Sequence, residues 1–164
     1  MNYKRALKHL ITNKITARRA FSQSSMRVIE QAVRSAEAQH QGQICFVVEA
    51  ALDFPMAVKN FSARDRALEL FSSLRIWDTE YNNGVLIYLL LADKDVEIIA
   101  DRGVHSHVTT EGWEQICHEM EVFFRLGKYE EGVILGINKI AHHLESLYPN
   151  ESPNNELSDK PILL

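Results

Sequence analysis

Asp78, Asn82, Asn83 and Asp101 are the side chains of this sequence that could assemble a hard-oxygen site, of the kind that holds Ca²⁺ or Mg²⁺. Arg102 follows Asp101 and could bind an anion such as phosphate, helped by the free amides at the start of a nearby helix. Roughly twenty residues separate the two groups, so only the fold can bring them together. The segment between them, Tyr81 to Gly103, reads as a tight turn, an apolar strand, a second tight turn, a half-buried strand and a loop. Paired as a hairpin, these strands place Asn82-Asn83-Gly84 and Asp101-Arg102-Gly103 at one edge of one sheet.

Other residues offer alternative chemistry. Glu49, Asp53, Asp93 and Asp95 gather at the opposite sheet edge, where the carboxyl ends of parallel strands usually carry ligands. His105 and His107 lie two apart and could join Asp101 around a metal. His142 and His143 are adjacent on a helix, so their side chains diverge by about 100°. The chain has no Gly-x-Ser-x-Gly elbow, P-loop or Gly-x-Gly-x-x-Gly fingerprint, and no Cys-x5-Arg phosphatase loop. No organic cofactor is implied. Hydrolysis of phosphate esters would therefore require a metal-activated water.

The elements that must position these residues follow from periodicity. A short basic helix is expected from Tyr3 to Ile11, and a second turn from Ala17 to Phe21 with Thr16 as its cap. Ser24 or Ser25 caps a helix running to about Gln41, with Gly42 as its stop. Gln43–Ala50 is a strand, and a loop with Pro55 follows. Ser62-x-x-Asp65 opens a helix whose Ala67, Leu68, Phe71 and Leu74 face inward. Gly84–Ala92 is apolar on both faces, as a central strand should be, and Val96–Ala100 returns antiparallel. Helices from Thr109 or Thr110 to Leu126 and from Tyr129 to Leu147 complete the core, separated by Gly127. The fold class is α/β: a three-layer α/β/α sandwich with a small mixed β-sheet. Residues 1–23 form a helical extension, residues 24–149 the domain and residues 150–164 a flexible tail.

Composition bounds the function classes. The chain has 164 residues, is 46% hydrophobic and 24% charged, and carries a formal net charge of -4. That balance suits one globular domain and argues against a dedicated nucleic-acid binder. Cys45 and Cys117 have no metal-type spacing and read as unpaired thiols. No apolar run reaches the roughly 18–20 residues of a spanning helix, and the N-terminus lacks a signal-type core, so a cytoplasmic protein is expected. The basic N-terminal helix could make a peripheral membrane contact.

The pattern resembles the TPM domain family, which carries a phosphatase label. The likeness covers roughly Val28 to Leu147. It rests on Asn83-Gly84 leading into VLIYLLLADKDVEIIADRG, and on the rhythm of Phe124, Gly127, Tyr129 and Gly132 in FRLGKYEEGVILGINKI. Gly42 and the Ala67, Leu70, Phe71 set also fit. The resemblance implies the α/β/α sandwich. It further implies, for some members, acid phosphatase activity or calcium binding. Two departures matter: Asn82 stands where the family often has Asp, and Asp101-Arg102-Gly103 replaces a glycine-aromatic-glycine turn. One carboxylate is thereby lost from a cation site. The expectation is a module with at most weak activity that binds an unidentified protein partner. The alternative is a metal-dependent phosphatase in which carboxylates hold the cation and Arg102 steadies the phosphoryl group.

Overall fold

The structure is a computed structural model and describes residues 3–59, 61–149 and 154–164. Helices α1 (Tyr3–Ile11), α2 (Lys14–Ala20) and α3 (Gln23–Glu37) precede strand β1 (Gln43–Glu49). Helices α4 (Phe54–Val58) and α5 (Ala63–Ser73) lead to strands β2 (Gly84–Leu90) and β3 (Asp95–Ala100). Helices α6 (Arg102–His105), α7 (Thr110–Arg125) and α8 (Tyr129–Leu147) follow, and a short β4 (Ile162–Leu163) ends the chain. The sheet order is β3-β2-β1-β4. β1 and β2 run parallel in the register Gln43 to Gly84, whereas β3 returns antiparallel beside β2 with Val85 opposite Ala100. A parallel pair needs a crossover, and α5 lies within it.

Strand alternation sorts the core into two layers. Ile44, Phe46, Val48, Val85, Ile87 and Leu89 pack with residues of α2, α3, α7 and α8. Cys45, Val47, Leu86, Tyr88 and Leu90 pack on the other face with Ala63, Ala67 and Leu70 of α5. Every residue of β2 is buried, which is why its sequence is apolar without alternation. The three-layer mixed sandwich expected from the sequence is thus the observed fold. Ala17 and Phe21 belong to the core, so α2 is built into the first layer.

Local signals place most helix starts, with shifts of a few residues. Ser62 and Asp65 form the expected capping box. Thr109 caps α7 by accepting the Gly112 N–H. α2 is capped by Asn13, whose Oδ1 accepts the Ile15 and Thr16 N–H groups at 3.0 and 3.1 Å, so Thr16 lies inside the helix. Ser22 caps α3, ahead of the expected Ser24 or Ser25. That helix ends before Gly42 is reached, and the Glu37 carboxylate turns to accept the Ile44 N–H at 2.6 Å. On α5 the phase is corrected: Ala63, Ala67 and Leu70 are buried, and Leu68 and Leu74 are exposed.

The tail is the largest correction. Residues 150–153 lie outside the described residues, but residues 154–164 are tied to the sheet. The Gln43 side chain accepts the Glu156 and Leu157 N–H groups at 2.8 and 2.9 Å and donates to the Asn154 carbonyl at 3.0 Å. Ile162 and Leu163 then pair with Val47 and Val48 as a fourth strand. Burial drives this: Leu157, Ile162 and Leu164 pack against the α5 layer.

Two glycines allow close approach. Gly84 sits against the Ile76 carbonyl oxygen, where a Cβ has no room. A Cβ on Gly132 would come within 2.6 Å of the Phe124 ring, which stacks on Tyr129 with centroids 5.8 Å apart. Gly127, between α7 and α8, takes a φ of 75° that favours glycine. Alanine at position 132 should cost about 1–3 kcal/mol by overpacking. Alanine at position 84 should cost more, because its obstacle is backbone that cannot change rotamer. Urea denaturation of Gly84→Ala and Gly132→Ala checks the order.

Candidate functional site

The sheet brings the two polar loops of the hairpin together. The Asp101 N–H donates to the Gly84 carbonyl at 2.9 Å, and the Gly103 N–H donates to the Asn82 carbonyl at 3.1 Å. On the other side, the Gln43 N–H donates to the Asn83 carbonyl at 3.2 Å. Asn82 closes the turn with a φ of 50°, a left-handed conformation that asparagine tolerates better than most residues. Gly103 packs under Asn82 and Tyr148, and Gly42 against Leu144.

The four proposed oxygen ligands have different fates. Asp78 is exposed and paired with Arg75 at 2.6 Å. Asn82 faces Arg102, whose Nη2 lies 3.4 Å from the Asn82 Oδ1. Asn83 is fully buried; its amide donates to the Gln41 carbonyl at 2.9 Å, and its Oδ1 has no partner. Asp101 caps α6 by accepting the Arg102 N–H on Oδ1 at 2.7 Å, while its buried Oδ2 has no partner. Asn83 Oδ1 and Asp101 Oδ2 are thus the two candidate ligand atoms without a partner; Asp78 and Asn82 meet arginines. Among the described residues no group of three or more His, Cys, Asp and Glu is arranged to hold a metal. His107 Nδ1 lies 3.0 Å from both the Gly103 carbonyl oxygen and Ser106 Oγ, contacts local to its loop.

At the opposite edge Glu49 and Asp93 are engaged in structure. Glu49 receives Arg66 through two bonds of 2.9 Å and the Tyr88 hydroxyl at 2.7 Å. Asp93 receives Arg5 at 2.8 Å and lies 3.1 Å from His9 Nε2, so it anchors α1. The His9 Nδ1 in turn accepts the Leu52 N–H at 2.9 Å.

A feature the sequence reading missed runs along β3. This strand ends the sheet, and the Asp101–Gly84 bond fixes which of its groups face β2. Residues 95, 97 and 99 point their backbone groups at β2; Val96, Ile98 and Ala100 point theirs away from it, but Val96 and Ile98 are buried and the Ile98 backbone meets Cys117 of α7. A cleft of about 950 Å³ opens over this edge between α5 and α7. Asp95, Glu97, Glu114 and Glu121 line it, with Arg64 paired to Glu97 at 3.1 Å. Burial, and then Glu97, Glu121 and Asp93, push the Asp95 carboxyl up to about 6. Burial raises Glu97 as well, against the pull of Arg64. The alternation of acid and apolar residues in β3 and the acids at Glu114 and Glu121 were both visible in the sequence. Only the packing of α7 on β3 joins them.

The thiols offer no nucleophile. Burial pushes both Cys45 and Cys117 up to about 12, so each stays a neutral thiol.

Under the tail, burial pushes the Glu37 carboxyl up to about 8, and neighbouring Asp159 adds to the rise. Asp159 also lies 3.3 Å from Arg34. Between the ordinary glutamate value and about 8, the folded chain keeps a proton that the unfolded chain has lost. This contribution to stability is full at lower pH and is lost as pH rises through that window. Glu37→Gln keeps an oxygen for the Ile44 N–H and removes the titration. Its advantage in Tm over the wild type should grow from pH 4 to pH 8 and reach about 5 °C. Thermal melts across that range check the trend, and a pH-independent difference would contradict it.

A family model described as the TPM domain matches residues 16–143. The NMR structure of the BA42 protein from the psychrophilic bacterium Bizionia argentinensis aligns with a TM-score of 0.77 at 26% identity, covering 88% of this chain and 95% of that chain. The solution structure of the N-terminal domain of a protein from P. gingivalis shares the fold, with a TM-score of 0.64 at 21% identity over 80% and 82% of the two chains. No curated protein is a significant match.

Proposed function

This chain belongs to the TPM domain family, and on that premise we propose that it is an interaction module that receives an extended basic segment of a partner protein along β3. The observation that carries this reading is the acidic cleft between α5 and α7 over β3. The lysines or arginines of that segment would meet Asp95, Glu97, Glu114 and Glu121 in this cleft. Two neutral thiols without a disulfide suit a reducing compartment, and we place the protein in the cytoplasm.

Titration with a short peptide of alternating Lys and Val tests the reading. Binding should weaken as salt rises, and weaken about tenfold or more in Glu114→Lys/Glu121→Lys. Amide shifts in NMR should centre on Val96 to Ala100. Binding that ignores both salt and the double substitution would overturn the assignment.

A second reading is metal-assisted hydrolysis of phosphate esters, favoured by the two buried oxygens without partners, Asn83 Oδ1 and Asp101 Oδ2. These would hold Ca²⁺ or Mg²⁺ together with waters, and the cation would lower the pKa of a bound water. Arg102, exposed next to Asp101, would stabilise charge developing on the phosphoryl oxygens. Hydrolysis assayed with Mg²⁺, Mn²⁺ or Ca²⁺ should then depend on the metal and be lost in Asp101→Ala. Activity that survives this substitution rules the site out.

A further inference from the structure

Helix α1 is docked with its polar side inward. Ala6 and His9 are its buried residues, and the contacts that hold it run from Arg5 and His9 to Asp93 and from His9 to the Leu52 amide. An amphipathic helix on a globular protein ordinarily turns its apolar stripe to the core. Here Leu7, Leu10 and Ile11, at helical spacing, are 61, 61 and 70% exposed, and Ile15 at the start of α2 is 62% exposed. Lys4, Lys8 and Lys14 are exposed beside them.

The charge of the chain is divided in the same place. The first 29 residues contain seven Lys and Arg and no Asp or Glu, so all 22 acidic residues lie beyond them. Among the described residues no helix is long and apolar enough to cross a membrane. The combination of an exposed apolar stripe and flanking lysines on a helix of this length suits the plane of a bilayer surface. Anionic headgroups would attract the basic segment and repel the acidic remainder, which sets the orientation of the molecule.

We propose that α1, with the start of α2, is an in-plane anchor for an anionic lipid surface: Leu7, Leu10, Ile11 and Ile15 enter the interface and Lys4, Lys8 and Lys14 meet the headgroups. A lipid surface is favoured over a protein groove because basic charge surrounds the stripe: Lys8 lies 3.9 Å from Asp93, and the segment itself contains no acid to match Lys4 and Lys14. The anchor is independent of the β3 cleft, and either can fail alone.

Vesicle flotation with the full chain tests it, using phosphatidylcholine vesicles with and without about one third phosphatidylglycerol. The chain should float with the anionic vesicles, remain in solution with the neutral ones and release as salt rises. Leu7→Glu/Ile11→Glu should weaken binding about tenfold or more, and Lys4→Glu/Lys8→Glu should reduce it at low salt. Glu114→Lys/Glu121→Lys, in the cleft, should not reduce it. Circular dichroism and melting confirm that the variants fold; these positions are exposed, so little change is expected. No binding to anionic vesicles, or binding that Leu7→Glu/Ile11→Glu leaves intact, would overturn the proposal. So would self-association in sedimentation that this double substitution abolishes while vesicle binding is absent, since the stripe would then serve a second copy of the chain.

Discussion

Strand β2 has no water on either face, and this constraint organises the molecule. A buried backbone N–H or C=O must find a partner or cost about 1–3 kcal/mol. β2 can meet that demand only from a neighbour on each side, so it requires β1 and β3, and its apolar side chains require a helical layer above and below. The pairing continues past the regular strand through the Asp101–Gly84 and Gly103–Asn82 bonds. The polar loops are therefore positioned by the central strand's need for hydrogen bonds. Their proximity is a consequence of register and is not in itself a sign of catalysis.

The two ends of this strand treat polar groups differently. At its carboxyl end, Glu49 is enclosed by Arg66 and Tyr88, and Asp93 by Arg5 and His9. Breaking such a pair would strand a charge, so these acids hold α5 and α1 in place and are poorly placed to accept a ligand. At its amino end, Asn83 Oδ1 and Asp101 Oδ2 lack partners although each residue satisfies its other groups. Unmet acceptors are the more informative kind of polar atom, because the fold bears their desolvation without a compensating bond. They attract a cation or a water, and one carboxylate with one amide is a small donor set beside the six to eight oxygens that calcium takes.

What was legible in the sequence depended on how local the cause was. The hairpin was readable because Asn83-Gly84 and Asp93-Lys94-Asp95 flank an eight-residue apolar run. The Ser62–Asp65 cap was readable because both partners lie within one turn. Phe124, Gly127, Tyr129 and Gly132 carried the family pattern because they set how closely α7 and α8 pack. By contrast, α4 and α6 span five and four residues, too short for a periodic signal. Leu68 and Leu74 look apolar enough to be buried, yet the α5 phase is fixed by the small residues Ala63 and Ala67 against the sheet. The tail was misread because its partner, Gln43, is more than a hundred residues away. Nor could the acidic cleft be seen from either strand or helix alone. The meeting of the Asn82-Gly84 and Asp101-Gly103 loops was readable from the hairpin, but sequence could not say that Arg75 and Arg102 would meet Asp78 and Asn82.

The distribution of charge gives the molecule two faces of opposite chemistry. Burial, then Glu97 and Glu121, raise the proton affinity of Asp95, and burial, then Glu121 and Glu114, that of Glu97 against the pull of Arg64. The N-terminal segment shows the reverse imbalance, with exposed leucine and isoleucine beside lysines that no acid in the segment neutralises. Neither feature helps the chain fold alone: one costs electrostatic energy, and the other leaves apolar surface in water. Both become favourable only with something of complementary chemistry against them. These two features are what favour the proposed binding reading over a catalytic one.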